Sequence, residues 1–200
     1  MTLQSRAVDT RNTILNSALT LFSQNGYDAT SVAEICHKAN VSKGAFYHHF
    51  PSKQALFLAL LTSWLDEVDG LFQLTSQSAV DVSQSLQLMA AMSGQFFDAL
   101  EGGFPILLEF WTQASRHPTV WKQAVAPYHH YLDFFETLIA TGIEQGVFDQ
   151  DLNTDTAARI IIGMAMGLLL QAAFDPDYKD WQSVTSMGIK IILNGLRRTI

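Results

Sequence analysis

The chain has 200 residues, 48% hydrophobic and 16% charged, so it can bury a core without staples and is too apolar for a disordered chain. Its net charge of −7 argues at first against nucleic acid, and a single cysteine, Cys36, excludes an intramolecular disulfide framework and any cysteine-based zinc cluster. The charge is uneven, however: residues 1–55 hold five basic against three acidic side chains, and the remainder seven against sixteen. A mildly basic N-terminal part on an acidic body suggests a side that faces a polyanion. The stretch Met1 to Asp9 has no apolar signal core, and the apolar run Ile160 to Leu170 is too short to span a bilayer. A cytoplasmic protein without a membrane partner is expected.

The apolar spacing predicts helices throughout. Ile14, Leu15, Ala18, Leu19 and Phe22 form one helical stripe, with Asp9 or Thr10 as its start and Gly26 as its stop. Ser31, with Glu34 three residues on, is a capping box that opens a second helix. Asn40 tolerates the left-handed backbone of a tight turn, and Ser42 caps a short third helix to about His49. Pro51-Ser52 ends it and starts a fourth helix over 53–72. Further helical spacing covers 81–101, 104–116, 118–146, 154–174 and 180–198, with Pro127 set to kink or divide the third of these. No sustained strand alternation is present, nor a hairpin dipeptide between β-branched runs, since Asn25-Gly26 follows a helix instead. The expected fold is all-α, about nine helices: an N-terminal three-helix module over 1–53, then a helical bundle over 54–200.

Residues 29–53, ATSVAEICHKANVSKGAFYHHFPSK, hold two capped helices and a short turn, the layout of a helix-turn-helix. Val32, Ile35, Val41, Phe46 and Phe50 are its candidate core. Lys43, Gly44, Ala45, Tyr47 and His48 are the candidate outer face of its second helix. Such a face suits DNA: lysine meets phosphate, small residues allow close approach to the groove, and tyrosine bonds phosphate or stacks. Cys36 reads as a small packed residue.

The run from Ile14 to Phe57 resembles the signature of TetR-family transcriptional regulators. The match rests on the Leu-Phe pair and Gly26 ending the first helix, Thr30-Ser31-Val32, Ile35, Val41-Ser42-Lys43-Gly44, Phe46-Tyr47, Phe50 and Ser52-Lys53. Asn40 stands where the family usually has glycine. The resemblance implies a homodimer with a DNA-binding domain and a C-terminal ligand-binding and dimerisation domain, the fourth helix connecting them. It implies phosphate contacts from Thr30, Ser31, Ser42, Lys43, Tyr47 and Lys53, and base-edge contacts from Gly44, Ala45 and His48.

Aromatic residues are dense past residue 60, and Met89, Met92, Met164 and Met166 add adaptable apolar surface. Phe96, Leu107, Trp111, Tyr128, Tyr131, Phe135 and Met164 are the candidate walls of an effector pocket. Glu109 is a charge in an apolar stretch, either a solvent-facing position or a carboxylate for a cationic ligand. Gly163 and Gly167, four apart in an apolar helix, would allow close helix approach. In the resembled family the last two helices form a four-helix bundle with their symmetry mates, which makes Gly163, Gly167, Met187, Ile191 and Leu193 the candidate dimer interface. His129 and Asp133 have a metal-ligand spacing, but two ligands are not a site. No GxSxG, P-loop, GxGxxG or HExxH pattern is present. No enzyme, metal or cofactor is expected. The sequence reads as a transcriptional regulator, a repressor released from operator DNA by a small apolar or aromatic effector. The alternative is a helical small-molecule-binding protein with little DNA binding.

Overall fold

The computed structural model describes residues 3–94 and 103–197. Among these residues it is all helical: α1 Leu3–Asn25, α2 Val32–Ala39, α3 Lys43–His49, α4 Lys53–Ser78, α5 Val82–Ala91, α6 Gly103–Ala114, α7 Pro118–Ala124, α8 Ala126–Glu144, α9 Thr154–Phe174 and α10 Trp181–Leu196. The all-α expectation of about nine helices holds. The long segment around Pro127 is divided, since α8 opens with proline in its first turn where a missing N–H costs nothing. Two boundaries moved. The first helix starts at Leu3 rather than near Asp9, because nothing between those positions breaks a helix, and the fourth runs on to Ser78. The end of the segment expected over 81–101 lies outside the described residues.

The chain forms two compact units: Met1–Leu65 with Pro105–Ala124, and Asp66–Phe104 with Val125–Ile200. The first is organised around aromatic rings. Phe22, Phe46, Phe57 and Phe110 are fully buried, along with Ile14, Ile35 and Leu56. Phe57 stacks on Phe110 at 4.1 Å between centroids, and Tyr27 meets both edge-on at 5.3 and 5.4 Å. Each such ring withdrawn from water contributes about 1.5–3 kcal/mol, and the offset and edge geometries add to it.

The second unit packs α5, α8, α9 and α10 around Leu86, Ile139, Phe148, Ala158, Ile161, Ile189 and Leu193. Gly142 on α8 is where Phe148 closes in, and a Cβ there would lie 2.4 Å from the ring. The Phe148–Arg197 bridge and the Asp149 N–H donating to the Leu196 carbonyl at 3.0 Å fasten the 146–152 turn to the end of α10. Although the run Ile160 to Leu170 is short, the helix around it has 21 residues and is long and apolar enough to cross a membrane by length and composition. Its inner stripe of Ala157, Ala158, Ile161 and Ile162 is buried against the other helices of this unit, and Leu168 further along is buried too.

Candidate functional site

The helix-turn-helix forms for the local reasons its sequence gives. Glu34 N–H donates to the Ser31 hydroxyl at 3.2 Å, and the Ser31 N–H donates back to the Glu34 carboxylate at 2.7 Å, completing the capping box. Hydrogen bonding to the Ser31 hydroxyl and to the Ser31 backbone N–H holds the Glu34 carboxyl below its usual range. Asn40 ends α2 in the left-handed region at φ 54, ψ 45, as the turn requires. Ser42 then accepts from the Ala45 N–H at 3.1 Å and opens α3. Ile35, Phe46 and Phe50 point inward and are buried, while Val32 and Val41 are half-buried. Cys36 is packed inside, and burial pushes its thiol pKa up.

The outer face of α3 carries Lys43, Gly44, Tyr47 and His48, all exposed, with Ala45 half-buried beside them. Ser31 and Ser42 are exposed as well, each already holding a backbone N–H. A Cβ on Gly44 would touch nothing but the Ser42 hydroxyl at 3.7 Å, so the helix surface there is bare backbone. Exposed cation, hydroxyls and flat backbone share one short helix, which is what a groove-entering element needs.

Two expected phosphate contacts are turned inward instead. Thr30 is buried, and its hydroxyl donates to the Gly26 carbonyl at 2.8 Å. The Lys53 ammonium donates to the carbonyls of Tyr27 at 2.8 Å, Thr30 at 2.9 Å and Asp28 at 3.3 Å, and lies 4.4 Å from the Tyr27 ring centroid. An ammonium spent on backbone acceptors has no hydrogen left for a phosphate, so a direct contact from either residue does not fit this geometry. Glu109 departs from both readings of it: its carboxylate accepts the Tyr27 and Asp28 N–H groups. No sequence pattern announced the Lys53 and Glu109 contacts, whose partners are backbone atoms 23 to 82 residues away.

The effector-pocket candidates divide between the units. Leu107 and Trp111 sit on α6; Leu107 is buried, and the Trp111 indole N–H is buried with no hydrogen-bond partner among the described residues. Tyr128, Tyr131, Phe135 and Met164 belong to the second unit. There, Tyr131 and Phe135 meet on the Phe72 ring at 5.9 and 5.8 Å. Burial, together with Asp69, pushes the Tyr131 phenol far up. Tyr128 accepts from Arg159 Nη1 at 2.8 Å on the outer side. Met164 fills the space over Gly188, where a Cβ would lie 2.5 Å from its sulfur. Phe96 lies outside the described residues.

Of the dimer candidates, Met187 and Ile191 are 58% and 65% exposed, and none of the described residues lies within 4 Å of a Cβ built on Gly163 or Gly167. Ile160 is exposed on the same stripe of α9. Leu193 is a correction: it is 2% exposed and sits in its own subunit's core, so it cannot reach a partner.

Comparison with known families settles the class. The model described as "Bacterial regulatory proteins, tetR family" matches residues 14–60, and that described as "QacR-like protein, C-terminal region" matches residues 105–198. The chain belongs to the TetR family. It is similar to the HTH-type transcriptional regulator UidR of Escherichia coli (strain K12), 23% identical over 194 residues that cover 97% of this chain and 96% of that protein. The HTH-type transcriptional repressor KstR2 of Rhodococcus jostii is 25% identical over 76% of this chain and 74% of its own. A TetR-family transcriptional regulator from Cytophaga hutchinsonii has the same fold, with a TM-score of 0.77 at 19% identity over 98% of both chains. This TetR-family chain is thus a helix-turn-helix transcriptional regulator, and the relatives it matches are regulators rather than enzymes.

Proposed function

We propose that this regulator is a cytoplasmic homodimeric repressor, released from operator DNA by a small apolar or aromatic effector. Residues 1–53 act as the DNA-binding domain and residues 54–200 as the ligand-binding and dimerisation domain, with α4 as connector. The observation that carries the reading is the outer face of α3, where Lys43, Tyr47 and His48 stand exposed around the bare backbone of Gly44. Ser31, Ser42, Lys43 and Tyr47 meet phosphates, and Gly44, Ala45 and His48 approach base edges. Thr30 and Lys53 hold the scaffold from within.

Dimerisation uses the apolar stripe of Ile160, Gly163 and Gly167 on α9 with Met187 and Ile191 on α10. The uncapped Trp111 indole N–H supports an effector with one acceptor atom on an otherwise apolar body. Glu109 is committed to backbone amides, so it no longer favours a cationic molecule. The KstR2 relative is a transcriptional repressor, which supports repression here.

The test is a titration of the protein with its own upstream DNA across a salt series. Lys43→Ala is expected to weaken binding and to lower the log–log salt slope by about 1 per subunit, as loss of one phosphate contact does. A slope and affinity unchanged by Lys43→Ala overturn the assignment of α3 as the DNA-facing helix.

A further inference from the structure

Gly26 leaves α1 at φ +83, and the next two N–H groups, those of Tyr27 and Asp28, point the same way. Successive amides after a left-handed residue form a concave nest for an anion. The anion here is internal. Glu109 of α6 accepts from Tyr27 at 2.8 Å and from Asp28 at 2.5 Å. A Cβ at position 26 would lie 2.9 Å from the same carboxylate, so the glycine leaves the room it occupies.

One helical turn further along α6, Gln113 Nε2 donates to the Asp28 carboxylate at 3.0 Å. The carbonyls of the same turn go the other way, to Lys53 at the start of α4. Phe110, between the two gripping residues, stacks on Phe57 and meets Tyr27 edge-on. By sequence α6 opens the region matched as the family's C-terminal part, yet it is built into the unit that holds the helix-turn-helix.

We propose that Glu109, assisted by Gln113, is the positioning residue through which α6 and the DNA-binding helices bias each other. The proposal rests on the regulator reading above. The turn at 26–30 leads directly into Ser31 and α2, so α2 follows whatever α6 does to Tyr27 and Asp28. Both grips lie on one face of α6 within one turn. A slide or rotation of a few ångströms releases them together, because charge-assisted bonds to a fixed pair of amides do not stretch. Coupling of this kind is reciprocal: if α6 sets operator affinity, bound operator must steady α6.

The experiment measures amide hydrogen exchange of the full-length protein with and without its upstream DNA fragment. In the wild type, DNA is expected to slow exchange across Gly103–Ala114 several-fold. In Glu109→Gln with Gln113→Ala, that slowing is lost and DNA affinity falls about tenfold. Gln113→Ala alone keeps the carboxylate in its nest and loses part of the protection, which covers the case in which the double variant folds poorly. A purely structural role would lower stability but leave DNA-dependent protection of α6 intact. Full protection of α6 in both variants, or none in a DNA-bound wild type, overturns the proposal while leaving the regulator reading standing. A wild type that binds none of its upstream DNA overturns both.

Discussion

The exposed stripe on α9 and α10 makes a quantitative prediction about assembly. Met187 and Ile191 are 58% and 65% exposed, so each has a little over half of its side chain left to bury. Full burial of such a side chain is worth about 1.5–3 kcal/mol, so each offers roughly 1–2 kcal/mol. In a two-fold interface every contact occurs twice. The four side chains together therefore contribute roughly 5 kcal/mol, or about three to four decades in dissociation constant at 1.4 kcal/mol per decade. Met187→Asp with Ile191→Asp removes that burial and brings four carboxylates together. The variant is expected to sediment as a folded monomer at concentrations where the wild type is a dimer. Its fold should survive, since neither residue is part of its own subunit's core. Leu193→Ala is the contrasting control: it opens a cavity in the monomer and costs about 2–5 kcal/mol of folding stability. A Met187→Asp, Ile191→Asp protein that remains dimeric at nanomolar concentration would place the interface elsewhere.

Two further substitutions test the backbone and packing arguments. Asn40→Val forces a β-branched residue into the left-handed region and is expected to cost about 1–3 kcal/mol, whereas Asn40→Gly is close to neutral; equal thermal midpoints for the two would contradict the turn assignment. Gly142→Ala sets a Cβ 2.4 Å from the Phe148 ring, so the urea midpoint should fall by the equivalent of about 1–3 kcal/mol, and an unchanged midpoint would mean that the ring has room to move.

Local chemistry was legible in the sequence where a cap, a turn or a break has its own residue pattern, though not at Thr30, whose hydroxyl turns back to the Gly26 carbonyl. The Ser31–Glu34 box, the Ser42 cap, the left-handed Asn40 and the break at Pro127 all follow from spacing alone, and all four are found. Lys53 and Glu109 were misread because their partners are backbone atoms far along the chain, which carry no side-chain signature. Leu193 was misread for a different reason. On α10 apolar side chains lie on opposite faces, Ile189 and Leu193 inward with Thr185, and Met187 and Ile191 outward. A helix apolar on both sides does not say which stripe its own core takes. The start of α1 was missed because Asp9 and Thr10 are good capping residues that the helix had no need to use.

The inward turn of Thr30 and Lys53 bears on how such proteins diversify. Both belong to the run of residues by which the chain is recognised, yet both are occupied by carbonyl oxygens of their own backbone. They instruct folding and are silent about base sequence. On the proposed reading, operator choice falls to a few positions on α3, chiefly Gly44, Ala45 and His48. Those positions can be rewritten with little penalty to the scaffold behind them. A graft of another regulator's α3 face at these three sites, with Thr30, Lys53 and Gly26 untouched, would carry the donor's operator preference into a body that keeps its own fold.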